Sequence, residues 1–504
     1  MNNGKICVSV CAETADELIE QIKRAEDLAD VIEIRFDCLR KTESTNIYNA
    51  VKKSKRNYRG KILATFRPVE QGGKSKLSLS ERIEFWRYSG LSESSTDWAD
   101  IELDLQLDSL GEQPFEKVIR SFHDFSDSST NISEIFDNFS AKSDYVKIAV
   151  QADDITDTIA VWKLLEKAKS ENKQIIPIAM GEAGKWTRIL GLAHGAFMTY
   201  AALDAGRETA PGQVSARDLI EVYRAKELNE ETEVYGILGS NTSVSMSPYM
   251  HNAAFKFHNL NAVFVPLQVN DLEGFMRRMV KPETREVELN FKGFSVTIPH
   301  KQTIIKHLNF IDETASKIGA VNTVKIVDGK LHGYNTDAKG FIEPLLNSYG
   351  DIQNAKVAVL GAGGAARACV YALVNKGANV TVFARDTQKA QNISEDFQVE
   401  LNLLSNNDFN EFDILVNTTP LGMKGKAEDE TPAVGKQFEN VKLVYDLVYN
   451  PFQTLLLKEA DRFHVPKIGG LAMLIAQAME QQKIWTGLDA PMREMSRAVL
   501  ERLS

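Results

Sequence analysis

Lys147 stands inside Tyr145-Val-Lys-Ile-Ala-Val-Gln151, a β-type run that is apolar on both sides of the lysine. Such a run reads as a strand buried on both faces, as in a parallel sheet. A lysine placed there loses water, which disfavours its ammonium form and lowers its pKa from ~10.4. The neutral amine can attack a ketone and form a Schiff base. The ordinary alternative is a lysine whose stem packs while its head reaches water at the strand end. Taken alone, the run leaves both readings open.

The surrounding pattern narrows the choice. β-rich runs recur at Lys5–Val10, Val31–Asp37, Lys61–Arg67, Asp97–Asp104, Val118–Phe125, Tyr145–Gln151, Gln174–Met180 and Phe197–Ala202. Helix-like stretches such as Thr14–Ala29 and Asp154–Ser170 lie between them, and Ser215–Leu228 reads as a last helix. Eight strands alternating with helices predict a closed (β/α)8 barrel, a TIM barrel. Polar residues then fall at the C-terminal strand ends: Glu33 and Arg35, Arg67, His123, Lys147, with Arg188 and Thr209–Gln213 after the last two strands. Barrels build active sites at that face, so these residues are expected to share one mouth. Singly, each arginine reads as a surface ion pair and His123 as a satisfied core histidine.

Composition bounds the rest. The chain has 504 residues, 43% hydrophobic and 25% charged, with a net charge of −10. That balance predicts a soluble globular protein and argues against a broad nucleic-acid-binding surface. No run is long enough to suggest a bilayer span. Met1–Lys5 leads straight into a strand-like run, so no signal segment is expected, and the expected location is cytoplasmic. Cys7, Cys11, Cys38 and Cys369 do not form a disulfide framework and read as ordinary buried thiols. No metal site is expected.

The first-half motifs carry a resemblance. Glu33-Ile-Arg35, Thr65-Phe-Arg67, Phe122-His-Asp124, Val146-Lys-Ile-Ala149, Gly184–Arg188 and Ala210-Pro-Gly-Gln213 resemble type I 3-dehydroquinate dehydratase over residues 5–225. The resemblance implies Lys147 as the Schiff-base lysine and His123 as its general acid–base partner. It implies that Ser9, Glu33, Arg35, Arg67, Arg188, Thr209 and Gln213 hold the substrate. The chemistry suits a β-hydroxy ketone. An iminium on Lys147 acidifies the neighbouring C–H, and a histidine can then move the proton. An arginine fork matches a carboxylate. Gln71, with Glu70 beside it, stands where the family often has a glutamate.

In the second half, Lys356–Leu360 reads as a strand, Gly361-Ala-Gly-Gly-Ala365 as a glycine turn, and Ala368–Asn375 as a helix. That order is the context of a dinucleotide site, with pyrophosphate on the helix N-terminus. The next strand ends in Ala384-Arg385-Asp386-Thr387. Arg385 favours the 2′-phosphate of NADP, whereas Asp386 works the other way. Around this fold lie Ser245-Met-Ser247, Ser295–Lys301, Gly319–Thr323, Tyr334–Asp337, Asn417–Pro420, Tyr449-Asn-Pro451 and Gly469–Gln477. As a set they resemble shikimate dehydrogenase over residues 234–504. The resemblance implies Lys301 and Asp337 as the catalytic pair, and Ser245, Ser247, Thr297, Asn322 and Gln477 as substrate ligands. It implies that Gly361, Ala362, Gly363, Gly364, Ala365 and Arg385 hold NADP, and that Tyr449, Leu447 and Gly470 line the cleft.

The expected layout is a dehydratase barrel over 1–228 and a linker over 229–233. A substrate domain of 234–340 completed by 478–504 follows, with a Rossmann-like nucleotide domain over 341–477. The expected function is consecutive dehydration of 3-dehydroquinate and NADPH-dependent reduction of 3-dehydroshikimate to shikimate. Two alternatives remain: preference for quinate or NAD in the second half, and a sensor that kept the pockets without the chemistry.

Overall fold

The computed structural model describes residues 2–40, 44–88, 91, 95–111, 115–126, 131–405, 407–425 and 427–503. The chain divides into two compact units: residues 1–234 with 241–243 and 261–290, and the remainder.

The first unit is built on β1 (Lys5–Val10), β2 (Val31–Arg35), β3 (Lys61–Thr65), β4 (Trp98–Glu102), β5 (Lys117–Asp124), β6 (Tyr145–Gln151), β7 (Gln174–Met180) and β8 (Met198–Ala202), with a short β9 (Val214–Ser215) beside β8. Strands β1 to β8 are parallel to their neighbours and follow chain order round the ring. At the seam between β7 and β8, the Phe197 N–H donates to the Ile175 carbonyl at 2.9 Å. Helices follow the apolar spacing. In Ala15–Ala25 the buried residues are Ala15, Leu18, Ile22 and Ala25, and Thr14 caps the helix by accepting from the Glu17 N–H.

Period-two alternation decides what faces inward. Cys7, Val31, Leu63, Trp98, Ile119, Ile176 and Met198 form one apolar cluster that floors the barrel. Two residues further along the same strands come Ser9, Glu33, Thr65, Asp100, Ser121, Ile178 and Tyr200, and β6 contributes Lys147, all buried. Six of these eight are polar or charged side chains other than tyrosine, so the barrel's second layer is a polar shelf on an apolar floor.

Two expectations fail. Ser215–Leu228 is not a helix throughout: helical residues stop at Val222, and Arg224 sits at φ 49°, a left-handed conformation that ends the run. Cys11 and Cys38 are not free thiols but a disulfide, with Cα atoms 5.5 Å apart. Adjacent pairing of β1 and β2, with Val10 opposite Ile34, carries these distant positions together. Cys7 and Cys369 are buried and free.

The second unit holds two sheets. One runs β10 (Glu233–Gly239), β12 (Phe291–Val296), β14 (Thr323–Val327), β15 (Lys330–Tyr334), β13 (Phe310–Ile311); β11 (Ala262–Gln268) lies in the 261–290 segment of the first unit. The other is parallel: β16 (Lys356–Leu360), β17 (Asn379–Ala384), β18 (Glu400–Leu403), β19 (Ile414–Asn417), β20 (Leu443–Asp446) and β21 (Lys467–Ile468), in the order β18-β17-β16-β19-β20-β21. That is the doubly wound arrangement, and its strand order reverses between β16 and β19, where such folds bind ligands.

Trp98 is 1% exposed in the floor beneath Asp100. Trp98→Ala is expected to destabilise the barrel by about 3–5 kcal/mol, read as a lower urea midpoint of the first unit's transition by circular dichroism.

Candidate active sites

In the barrel, one cavity is lined by Ser9, Glu33, Arg35, Arg67, His123, Lys147, Arg188, Thr209 and Gln213. All nine residues expected in the first site therefore share it. Gln71 lines it too, and Phe125, Ile178, Met180 and Tyr200 supply apolar wall.

Lys147 is 4% exposed, its Nζ 3.0 Å from Asp100 Oδ2 and 3.9 Å from the Tyr200 ring centre. Burial pushes its pKa below the usual lysine range, against the opposing pull of the Asp100 charge. Asp100 is fully buried, and the charges of Arg67 and Lys147, with a hydrogen bond from Ser121 Oγ, overcome burial and hold it ionised. Arg67 reaches Asp100 Oδ1 at 2.8 Å, Ser121 Oγ at 3.2 Å and His123 Nδ1 at 2.9 Å. A guanidinium only donates, so Nδ1 of His123 accepts and the neutral ring carries its proton on Nε2. Burial, then the charges of Arg67 and Lys147, push the His123 pKa well down.

The remaining ligands divide by what they already hold. Glu33 accepts from Ser9 Oγ at 2.5 Å and Thr65 Oγ1 at 2.8 Å. Arg35 forms a two-point pair with buried Asp37, which also takes the backbone N–H groups of Arg67 and Lys74. Thr209 and Gln213 bond each other. Arg188 differs. It is 2% exposed, donates through Nη2 to the Pro211 carbonyl, and its Nε has no hydrogen-bond partner among the described residues. Burial pushes its pKa down to about 10. A buried cation without a carboxylate among the described residues, facing a cavity, is the setting an anionic ligand would complete.

Sequence reasoning missed Asp100, Ser121, Asp37 and Tyr200. The signal for the first was present: Asp100-Ile-Glu102 places two acids on one face of a strand otherwise read as core. Glu102 is also fully buried, and burial pushes its pKa up to about 7.

In the second unit, Lys301 Nζ lies 2.5 Å from Asp337 Oδ2. Asn322 Nδ2 donates to Asp337 Oδ1 at 2.8 Å, so both carboxylate oxygens are engaged. Asp337 opens the helix Asp337–Tyr349, where the helix dipole favours a negative charge. Asn335, unmarked in the sequence reading, accepts from the Asp337 N–H and donates to the Ala320 carbonyl. Ser245 Oγ accepts from the Ser247 N–H at 3.2 Å, and the Met246 backbone bonds Tyr449. The Thr297 N–H is bonded to the Leu238 carbonyl. Gln477 donates to Leu474; Gln481, also missed, bonds Ser295, the Asn322 carbonyl and Thr323.

The glycine turn fits a dinucleotide. Gly361 has φ +110°, and a side chain there would strike Thr418. Gly363 caps the helix Gly364–Asn375 with no side-chain bond to its first N–H groups, and an added Cβ on it meets open space. A carbon added to Gly364 would sit 3.3 Å from Lys301 Cδ, so the turn and Lys301 are neighbours. Gly470 approaches Leu447 so closely that a Cβ would lie 2.2 Å from its carbonyl oxygen. Arg385 is exposed, whereas Asp386 caps the helix Thr387–Phe397 and pairs with Lys389 at 3.3 Å. Asp386 is thus occupied, and Lys389 adds a cation the sequence reading did not mark.

A buried lysine in an eight-stranded barrel and a lysine–aspartate pair beside a doubly wound sheet define a two-part α/β enzyme. The type I 3-dehydroquinase pattern matches residues 6–230, the shikimate dehydrogenase substrate binding domain 237–324, and the shikimate/quinate 5-dehydrogenase pattern 345–423. A bifunctional 3-dehydroquinate dehydratase/shikimate dehydrogenase, chloroplastic, from Arabidopsis thaliana is 34% identical across 97% of this chain and 83% of its own length. A shikimate dehydrogenase (NADP(+)) from Methanothermobacter thermautotrophicus is 39% identical across 53% of this chain and 96% of its own. A solved shikimate dehydrogenase in complex with NADP+ is 37% identical, with a TM-score of 0.50, covering 55% of this chain and 98% of that one. The chain belongs to the family of bifunctional 3-dehydroquinate dehydratase/shikimate dehydrogenases.

A histidine with a depressed pKa stays neutral until the pH falls through that lowered value. The acid limb of kcat/KM for dehydration is therefore expected below pH 6.5, the ordinary histidine value. A pH–rate profile with its acid limb at or above 6.5 would remove His123 from this role.

Proposed function

We propose that the barrel dehydrates 3-dehydroquinate to 3-dehydroshikimate and that the second unit reduces this product to shikimate with NADPH. The observation that carries the reading is the pairing, in one cavity, of Lys147 with a lowered pKa and Arg188 without an acid partner. One is a nucleophile for a ketone and the other a seat for a carboxylate, and the substrate has both groups.

Lys147 attacks the ketone as the free amine, its proton having passed to water. Loss of water from the carbinolamine gives an iminium, and the adjacent C–H becomes acidic. His123 moves that proton once substrate releases the Arg67 contact, then protonates the departing hydroxyl. Arg188 receives the carboxylate, while Ser9, Glu33, Arg35, Arg67, Thr209 and Gln213 hold the remaining oxygens.

In the second unit, Gly361–Ala365 and the helix behind them would hold the NADPH pyrophosphate, and Arg385 the 2′-phosphate. When bound, NADPH supplies the hydride. Lys301 gives a proton to the ketone oxygen, and Asp337, oriented by Asn322, keeps that ammonium in place. Ser245, Ser247, Thr297, Asn322, Tyr449 and Gln477 take the substrate's carboxylate and hydroxyls, with Leu447 and Gly470 in the cleft wall. The division we assign is 1–228, 229–233, 234–340 with 478–504, and 341–477.

No helix among the described residues is long and apolar enough to cross a membrane. We place the chain in the cytoplasm on its sparse cysteines, although the Cys11–Cys38 bond draws the other way; cell fractionation tests this.

The direct assay adds 3-dehydroquinate and NADPH and follows NADPH oxidation with shikimate as product. Lys147→Ala is expected to abolish consumption from 3-dehydroquinate and leave reduction of added 3-dehydroshikimate intact. Loss of both activities in a folded protein would refute two independent sites. Arg385→Ala is expected to raise KM for NADPH at least about tenfold, the loss of one charge-assisted contact of roughly 1.5–3 kcal/mol, with KM for NADH unchanged. Equal effects on both cofactors would deny the 2′-phosphate contact.

A further inference from the structure

Arg367 lies in the first turn of the helix Gly364–Asn375, the helix whose start faces the pyrophosphate in the reading above. It is 7% exposed, and its contacts lead away from the nucleotide. Nε donates to the Ile318 carbonyl at 2.6 Å, and Nη2 pairs with Asp396 at 2.6 Å. Its guanidinium also lies over the Phe397 ring, 5.1 Å from the centre.

Ile318 ends the helix Glu313–Ile318, and its C-cap, Gly319, is left-handed at φ +68°. A terminal helix carbonyl lacks a helical partner and carries partial negative charge, which a guanidinium suits. The approach is close: a Cβ on Gly319 would lie 2.9 Å from Arg367 Nη2. The residues after the anchor run directly into the catalytic pair. Ala320's carbonyl accepts from Asn335, Val321's N–H donates to the Lys301 carbonyl at 2.7 Å, and Asn322 holds Asp337. Two residues therefore separate the Arg367 anchor from the contact to Lys301, and three separate it from the contact to Asp337.

We propose that Arg367 is a positioning residue that couples dinucleotide binding at Gly361–Ala365 to alignment of the Lys301–Asp337 pair. This rests on the reading of both as one reductase site. One side chain bridges the helix start to Ile318, the residue before the Gly319–Asn322 segment: Nε holds the Ile318 carbonyl while Asp396 fixes Nη2, so ordering either end orders the other. Coupling of this kind is reciprocal: each ligand strengthens binding of its companion by the same factor.

The test uses the full chain with NADPH and shikimate, a pair that binds without turnover. Calorimetry measures each Kd alone and in the presence of the other ligand, for wild type, Arg367→Ala and Arg367→Lys, with thermal unfolding recorded for all three. Wild type is expected to bind shikimate at least about fivefold more tightly when NADPH is present. Arg367→Ala should keep each separate Kd within about twofold, lose the mutual enhancement, and lower kcat for dehydroshikimate reduction while KM changes little. Arg367→Lys, which keeps the stem and one donor, should recover part of both. Should Arg367→Ala fail to fold, Asp396→Ala releases Nη2 alone and is expected to weaken the enhancement.

Enhancement retained in Arg367→Ala, or absent from wild type, would overturn the proposal. Separate affinities that fall as far as the ternary one would reduce Arg367 to a structural brace. Failure of wild type to bind either ligand would instead strike the reading of the reductase site.

Discussion

Asp100 is the charge on which the dehydratase cavity depends. It is fully buried and touches Lys147 and Arg67 at once. Removing a carboxylate from water is costly, and only two close cations make that position tolerable. The same contacts keep Arg67 beside His123 and hold Lys147 on the cavity wall. Glu33 lies on the same shelf and Arg35 is paired with Asp37, so the internal charges largely offset one another. The cation left over is Arg188, which has no carboxylate partner among the described residues and suits an anionic ligand.

The lysine illustrates how opposing effects are weighed. Asp100 favours the ammonium form, yet burial outweighs it and Lys147 titrates below its ordinary value. Without Asp100 the buried amine would titrate lower still, but Arg67 would lose its partner. The arrangement therefore trades some nucleophile availability for a stable charged shelf. In the reductase the balance differs. Lys301 and Asp337 are held closer together, and the second carboxylate oxygen is satisfied by Asn322, so orientation is governed by hydrogen bonds within one polar network.

Many residues of the two candidate sites were legible from the chain. Lys147 announced itself as a charge inside an apolar strand, and the glycine turn after Lys356–Leu360 by its place between a strand and a helix. Asp100 was visible only as one of two acids on a strand face; its partner was not legible, because a buried acid in a strand has no fixed sequence distance from the lysine it serves. Here that distance is 47 residues. Arg35 and Arg67 were expected as substrate ligands; both line the cavity, but each is already committed to an internal carboxylate, Asp37 and Asp100. Residue type reveals a charge and not its partner.

The sequence by itself determined the alternation of strands and helices, the inward face of each strand through its period of two, and the order strand, glycine turn, helix. These are local properties, set by backbone geometry and side-chain spacing. Tertiary structure alone decided the partners. Parallel pairing of β1 with β2 joined Cys11 to Cys38 across 27 residues, and the barrel ring brought Asp100 against Lys147 and Arg67. The crossing of Arg367 to the end of the helix Glu313–Ile318 set the reductase pair's support. Contacts between residues far apart in the chain depend on sheet register and ring closure, which no local pattern encodes.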